Sequence, residues 1–208
     1  FHTMRPIARN PDSLSNAFVW DIAEDAGDDI WFATLSGLDR LNPTIGKFTH
    51  YAPQGGDRSA GANQLQSLHA LGGGGLLVGT VDGRLYRFEA ATGDFTPVTR
   101  PGAPPGRFTS IRLWYIGPGH GNRVWVGVGE GLFALDTDTL EIVDSIMPSP
   151  EIPMGAEPVR TSLRNPDGTM WFGGGGAGLI HYDPATGTVT TLGHHPDDPS
   201  TLSHDVVR

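Results

Sequence analysis

FVWDIAEDAGDDIWFATLSGLDRLNPTIGKFTHY, residues 18–51, breaks into four short runs, FVWDIAED (18–25), DIWFAT (29–34), LDRLN (38–42) and KFTHY (47–51). Turns rich in Gly, Asp, Ser and Pro separate them. Runs of this length and β-branched, aromatic and aliphatic character, punctuated this way, are antiparallel strands joined by hairpins. The pattern then recurs. Phe1, Phe48, Phe95, Ile142 and Val189 fall in one column with a period of 47 residues, and Leu38, Leu85, Leu132 and Leu179 in another. A fixed period in this range means one supersecondary unit copied along the chain.

The second copy reads LQSLHAL (65–71), LLVGT (76–80), RLYRFE (84–89) and DFTPVT (94–99). The third reads FTSIRLWYI (108–116), RVWVGV (123–128), GLFALD (131–136) and EIVDSI (141–146). The fourth reads PVRTSLR (158–164), TMWFGG (169–174), GLIHYD (178–183) and TVTTL (188–192). No ten-residue stretch carries helical periodicity. A lone four-stranded sheet cannot bury both faces, so the repeats must stack face to face, as propeller blades do. The fold class is all-β, and the expected blades span 11–52, 53–99, 100–146 and 147–193. Residues 1–10 are expected to be the outer strand of a preceding blade and 194–208 the start of a following one, so that both termini cut through repeats and the chain reads as part of a larger ring.

Composition narrows the function. Thirty Gly and seventeen Pro without a triplet period mark many tight turns rather than collagen. A net charge of −9 offers no basic stripe for nucleic acid and disfavours an anionic membrane surface. With no cysteine there is neither a disulfide framework nor a thiolate metal site. No apolar run is long enough to span a bilayer.

The strings EDAGDDIWFATLSGLDRLNPTIGKFTHY (24–51) and RNPDGTMWFGGGGAGLIHYDPATGTVTTL (164–192), preceded by NPDSLSNAFV (10–19) and DDPSTLSHDVV (197–207), resemble the two-component regulator propeller repeat. The shared features are a Ser-Leu-Ser entry, an acidic Gly turn, a Trp-bearing second strand, a Gly-Leu turn and Asp-Pro-x-Thr-Gly before the outer strand. Repeat two departs from them with Leu77 in place of Trp, and repeat three with Asp136-Thr137-Asp138-Thr139-Leu140 before its outer strand. The resemblance implies a seven-bladed ring in the periplasmic or extracellular part of a bacterial inner-membrane receptor, with a histidine kinase or diguanylate cyclase as cytoplasmic output. It further implies ligand sensing without chemistry in this chain, and the remaining blades and a receptor homodimer as partners.

Trp31, Trp125 and Trp171 share the second-strand column and are read as wedges between neighbouring sheets. Trp20 and Trp114 share a different column on the first strand, closest to a propeller axis, where an indole can stack on a sugar. His69, Arg112 and Arg160 are polar residues read onto first strands, suited to carboxylate or hydroxyl recognition. These five form the candidate site, for a small molecule such as a saccharide, on the rim formed by the long inter-blade loops. No cofactor or metal is expected. His194 and His195 lack a third ligand. Gly127-Val128-Gly129-Glu130-Gly131 runs into a strand rather than a helix, so it is no dinucleotide loop. Two other classes make demands that this sequence does not meet. An enzyme needs paired carboxylates facing the axis, and the 47-residue column of Asp21 continues as Leu68, Tyr115 and Ser162. A protein-binding scaffold needs exposed aromatics on the inter-blade loops, which carry almost none.

Overall fold

Alternating apolar residues bounded by turn formers give sixteen strands and, among the described residues, two short 3-10 turns, Gly61–Asn63 and Gly72–Gly74. The structure, a computed structural model, describes residues 3–54, 60–154, 158–176 and 178–207. Phe1, Glu157 and Arg208, which the repeat alignment assigns to columns or loops, lie outside the described residues.

The chain divides into two compact units, Phe1–Leu113 and Trp114–Arg208. In the first, β1 (Val19–Glu24), β2 (Ile30–Thr34), β3 (Gly37–Asn42) and β4 (Lys47–Tyr51) form one antiparallel sheet in sequence order. The next sheet is β5 (Leu65–Ala70), β6 (Gly75–Thr80), β7 (Leu85–Glu89) and β8 (Asp94–Val98). In the second unit, β9 (Tyr115–Pro118), β10 (Arg123–Val128), β11 (Gly131–Asp136) and β12 (Ile142–Ile146) precede β13 (Val159–Arg164), β14 (Met170–Gly174), β15 (Leu179–Asp183) and β16 (Thr188–Leu192). Each sheet is an antiparallel meander, so its first strand is always an edge.

Each unit builds its core between its two sheets. Trp31 is wholly buried, with Phe88 edge-on at 5.4 Å and Tyr51 at 5.8 Å between ring centroids, among Leu65, Leu68, Leu76 and Val78. Trp125 repeats the arrangement with Phe172 at 5.3 Å and Tyr182 at 5.4 Å. Their polar atoms are also paired: Trp31 Nε1 donates to Asp25 Oδ2 at 2.7 Å, and Tyr182 donates its hydroxyl proton to Asp144 Oδ2. Backbone approach between sheets demands glycine. A Cβ on Gly79 would lie 2.5 Å from Leu113 Cδ2, and one on Gly173 2.7 Å from Val207 Cγ1.

Three stretches differ from the sequence reading. Residues 3–10 form no strand; Asn10 N donates to Ile7 O and the Ser13 hydroxyl accepts from Ile7 N, turning the segment back on itself. Leu14 then packs on Leu41 and Phe48, covering part of the first sheet. In the third repeat the strand starts at Tyr115 rather than near Phe108. The preceding residues are held instead on the β6–β7 turn, where Phe108 N and Thr109 N both donate to Gly83 O and Leu113 N to Thr80 O. Residues 194–207 contribute a single bridge, Val206 to Gly175. No helix among the described residues is long and apolar enough to cross a membrane.

Candidate functional site

The first strand of three sheets slips by one residue where it begins to pair with the second. The register shifts between Val19 and Asp21, Leu65 and Ser67, and Val159 and Thr161. A bulge leaves one residue unpaired and re-aims its side chain. Those residues are Trp20, Gln66 and Arg160, and Trp114, whose N–H reaches Gly127 O just before β9, takes the corresponding place in the third sheet. One column therefore holds Trp20, Gln66, Trp114 and Arg160.

In the second unit the column closes into a contact. The Arg160 guanidinium carbon sits 4.4 Å from the centroid of the Trp114 ring, a cation–π stack that fixes both planar groups. Beyond Arg160 along β13, Thr161 and Ser162 line a cavity of about 350 Å³ shared with Leu163, Trp171, Gly173 and Val207. Ser162 Oγ accepts a hydrogen bond from the Tyr115 hydroxyl, joining β9 to β13. In the first unit Trp20 is 48% exposed, while Gln66 is buried and its Oε1 meets no donor among the described residues. A buried carbonyl oxygen without a donor costs about 1–3 kcal/mol, so Gln66 is poised to receive one.

Of the five residues expected from sequence, Trp114 and Arg160 meet in the second unit, and Trp20, His69 and Arg112 belong to the first. His69 pairs across to Leu77 in β6 rather than joining the bulge column. Burial holds its imidazole below its ordinary pKa, which favours the neutral ring over a cation for a carboxylate. Arg112 is exposed on the loop before β9, not on a strand. Gln66 escaped notice because the bulge column runs 46, 48 and 46 residues between neighbours, out of step with the strict period.

Next along three of the first strands comes a polar group that reaches the following repeat. Asp21 Oδ2 accepts from Leu68 N at 2.9 Å, Ser67 Oγ donates to Leu113 O at 3.1 Å, and Tyr115 donates to Ser162. Burial raises the Asp21 carboxyl above its ordinary pKa, against the two backbone N–H groups of Leu68 and Ile22 that favour the carboxylate. Its side chain is thus committed to holding β5, and among the described residues no second carboxylate is seen to join it. Among the described residues no group of three or more His, Asp or Glu side chains could hold a metal.

No protein-family model and no curated protein matches the chain. Among solved structures it is similar to the extracellular domain assigned to the hybrid two component system BT3049 from B. thetaiotaomicron, with a TM-score of 0.75 at 18% identity. That alignment covers 99% of this chain and 25% of the other. These sheets are propeller blades. The extracellular domain assigned to the hybrid system BT4673 from the same organism gives a TM-score of 0.70 at 18% identity, over 94% of this chain and 25% of that one. U3-55K gives 0.63 at 10% identity, over 85% and 52%. The blades thus span about a quarter of the length of the two bacterial domains. Likeness at these identities carries the fold, and one fold hosts many functions.

Proposed function

We propose that this propeller segment is a non-catalytic sensing module on the periplasmic or extracellular side of a bacterial membrane receptor, binding a small molecule and biasing a cytoplasmic kinase or cyclase. The observation that carries the reading is the match of 99% of the chain to an extracellular domain assigned to a two component system. The bulge column supplies the chemistry. An indole presents a flat apolar face, a guanidinium its fixed donors, and further along β13 the Thr161 and Ser162 side chains line a cavity. Saccharides suit that set, since their C–H faces stack on aromatic rings while their hydroxyls pair with polar groups. A ligand that bridges two blades and binds one of their arrangements better would shift a two-state receptor toward it. Further blades of the same ring and a second receptor copy complete the assembly in this reading.

The test is an oligosaccharide panel screened by calorimetry, alongside turnover of chromogenic glycosides and an arm in which Trp114→Ala and Arg160→Ala are combined. Saccharide binding that is lost in the double variant, with no turnover, is the expected result. Measurable turnover, or binding indifferent to both substitutions, overturns the proposal.

A further inference from the structure

The 47-residue column that passes through Asp39 is otherwise apolar, continuing as Tyr86, Phe133 and Ile180, all buried. Asp39 is 0% exposed, so its carboxyl must be paired to be tolerated there. Its partner is one strand over. His50 stands opposite Asp39 across β3 and β4, and the column of His50 continues as Pro97, Asp144 and Thr191. The aspartate–histidine pair thus belongs to the first repeat alone.

Asp39 Oδ2 accepts from Ser15 N at 2.7 Å, and Oδ1 lies 2.7 Å from His50 Nδ1. The other ring nitrogen, Nε2, lies 2.8 Å from Pro11 O. A carbonyl oxygen can only accept, so Nε2 carries a proton. A second proton must lie between Nδ1 and Oδ1, on either atom, because a bare nitrogen facing a carboxylate oxygen sets lone pair against lone pair. Wherever that proton sits, the pair holds one proton more than a neutral imidazole beside a carboxylate. Removing it leaves the ring a donor at one nitrogen only. The buried carboxylate is the costlier group to strip of its donor, so the contact with Pro11 is the one that fails.

That contact fastens residues 10–15, which close over part of the first sheet. Phe48 N donates to Asp12 O at 3.4 Å, Lys47 Nζ lies 3.0 Å from Asp12 Oδ2, and Leu14 packs on Leu41 and Phe48. The charged groups around the stretch are Asp39 on β3, Lys47 on β4, Asp12 within it and Arg5 and Arg9 before it. The closed stretch requires the shared proton and the open one does not, so closure is favoured at low pH and weakens as pH rises. Imidazole is the side chain that ordinarily exchanges its proton within the physiological range.

We propose that Asp39 and His50 form a proton-held latch that keeps residues 10–15 over the first sheet and releases them as pH rises, uncovering Leu41 and Phe48. The latch lies within the first repeat and does not rest on the sensing role.

Hydrogen exchange of the full 208-residue chain from pH 5 to pH 8, corrected for the intrinsic pH dependence of amide exchange, tests it. Protection of the Ser15 and Phe48 amides should fall by about tenfold or more across that range, while the amides of β6 hold theirs. Asp39→Asn is the discriminating variant. Its carboxamide oxygen can accept from Ser15 N and its Nδ2–H can donate to His50 Nδ1, so a neutral ring satisfies Pro11 and the stretch should stay closed at every pH. Combining Asp39→Leu with His50→Phe replaces both partners by apolar groups and should leave the Phe48 amide weakly protected at every pH. Lys47→Met removes the exposed ion pair and should keep the slope. Protection that is flat with pH in the wild type, a slope that survives Asp39→Asn or the double variant, a slope lost in Lys47→Met, or a parallel loss in β6 each overturns the proposal.

Discussion

Asp21 shows how one carboxyl can join two blades at a cost that depends on pH. Its carboxyl pKa is raised by burial, so the stability it contributes is fully present below the unfolded pKa near 3.8 and is lost as pH rises through the higher folded value. Asp21→Asn keeps an acceptor for Leu68 N but never ionises. Melting curves from pH 7 to pH 3 should therefore show wild type gaining on the variant as pH falls; a constant difference would contradict this account of Asp21. Tyr182 makes the complementary case at the alkaline end. Burial and the neighbouring Asp144 push its hydroxyl up to about 12 from 10, so the unfolded chain ionises first and stability falls between these two values. Burial raises Tyr86 as well, so spectrophotometric titration should find a late-ionising fraction that Tyr182→Phe reduces, and the same variant should blunt the alkaline loss. Neither role was visible in the sequence. By sequence Asp21 is a first-strand carboxylate whose repeat column holds no second one, and only the placement of Leu68 N one repeat away reveals it as a tie between strands.

At the level of the element, the tryptophan column and the tightly faced glycines of the second strands explain how one sheet seats the next. Trp31 is wholly buried whereas Trp171 is half-buried beside His181, at 4.4 Å between ring centroids. Trp31→Ala should cost about 3–5 kcal/mol and Trp171→Ala well under half of that, as read from denaturant midpoints. Equal costs would mean that the shared column does not translate into shared packing. Gly79→Ala forces a methyl into Leu113 and Ser67 Oγ, each 2.5 Å away at the nearest atom, and should cost about 1–3 kcal/mol. Gly72→Ala, where a Cβ meets nothing within 4 Å, serves as the control and should stay near wild type. The strands themselves were legible because hydrophobic alternation and turn residues are local signals. The start of β9 was not, since Phe108 to Leu113 look like a strand by composition but are drawn onto the β6–β7 turn by Gly83 O and Thr80 O.

Across the whole molecule, stability should behave as a sum over repeats and their neighbours, because each unit holds its own aromatic core. Hydrogen exchange on Trp31→Ala should show protection falling in β1 to β8 while β10, β11, β14 and β15 retain theirs; uniform loss across all sixteen strands would refute nearest-neighbour behaviour. The sequence alone determined the all-β class, the 47-residue repeat, four strands to a blade and Trp31 and Trp125 as packing wedges, because a repeated pattern of burial must satisfy the same local rules in every copy. It also selected Trp114 and Arg160, though from separate arguments. Only the tertiary structure brought them together, placed Gln66 in the bulge column, put Arg112 on a loop rather than a strand, and laid the 99–113 loop on the β6–β7 turn. The physical reason is register. A bulge shifts side chains by one residue without altering composition, and contacts between a loop and a distant turn depend on backbone hydrogen bonds that no periodicity encodes.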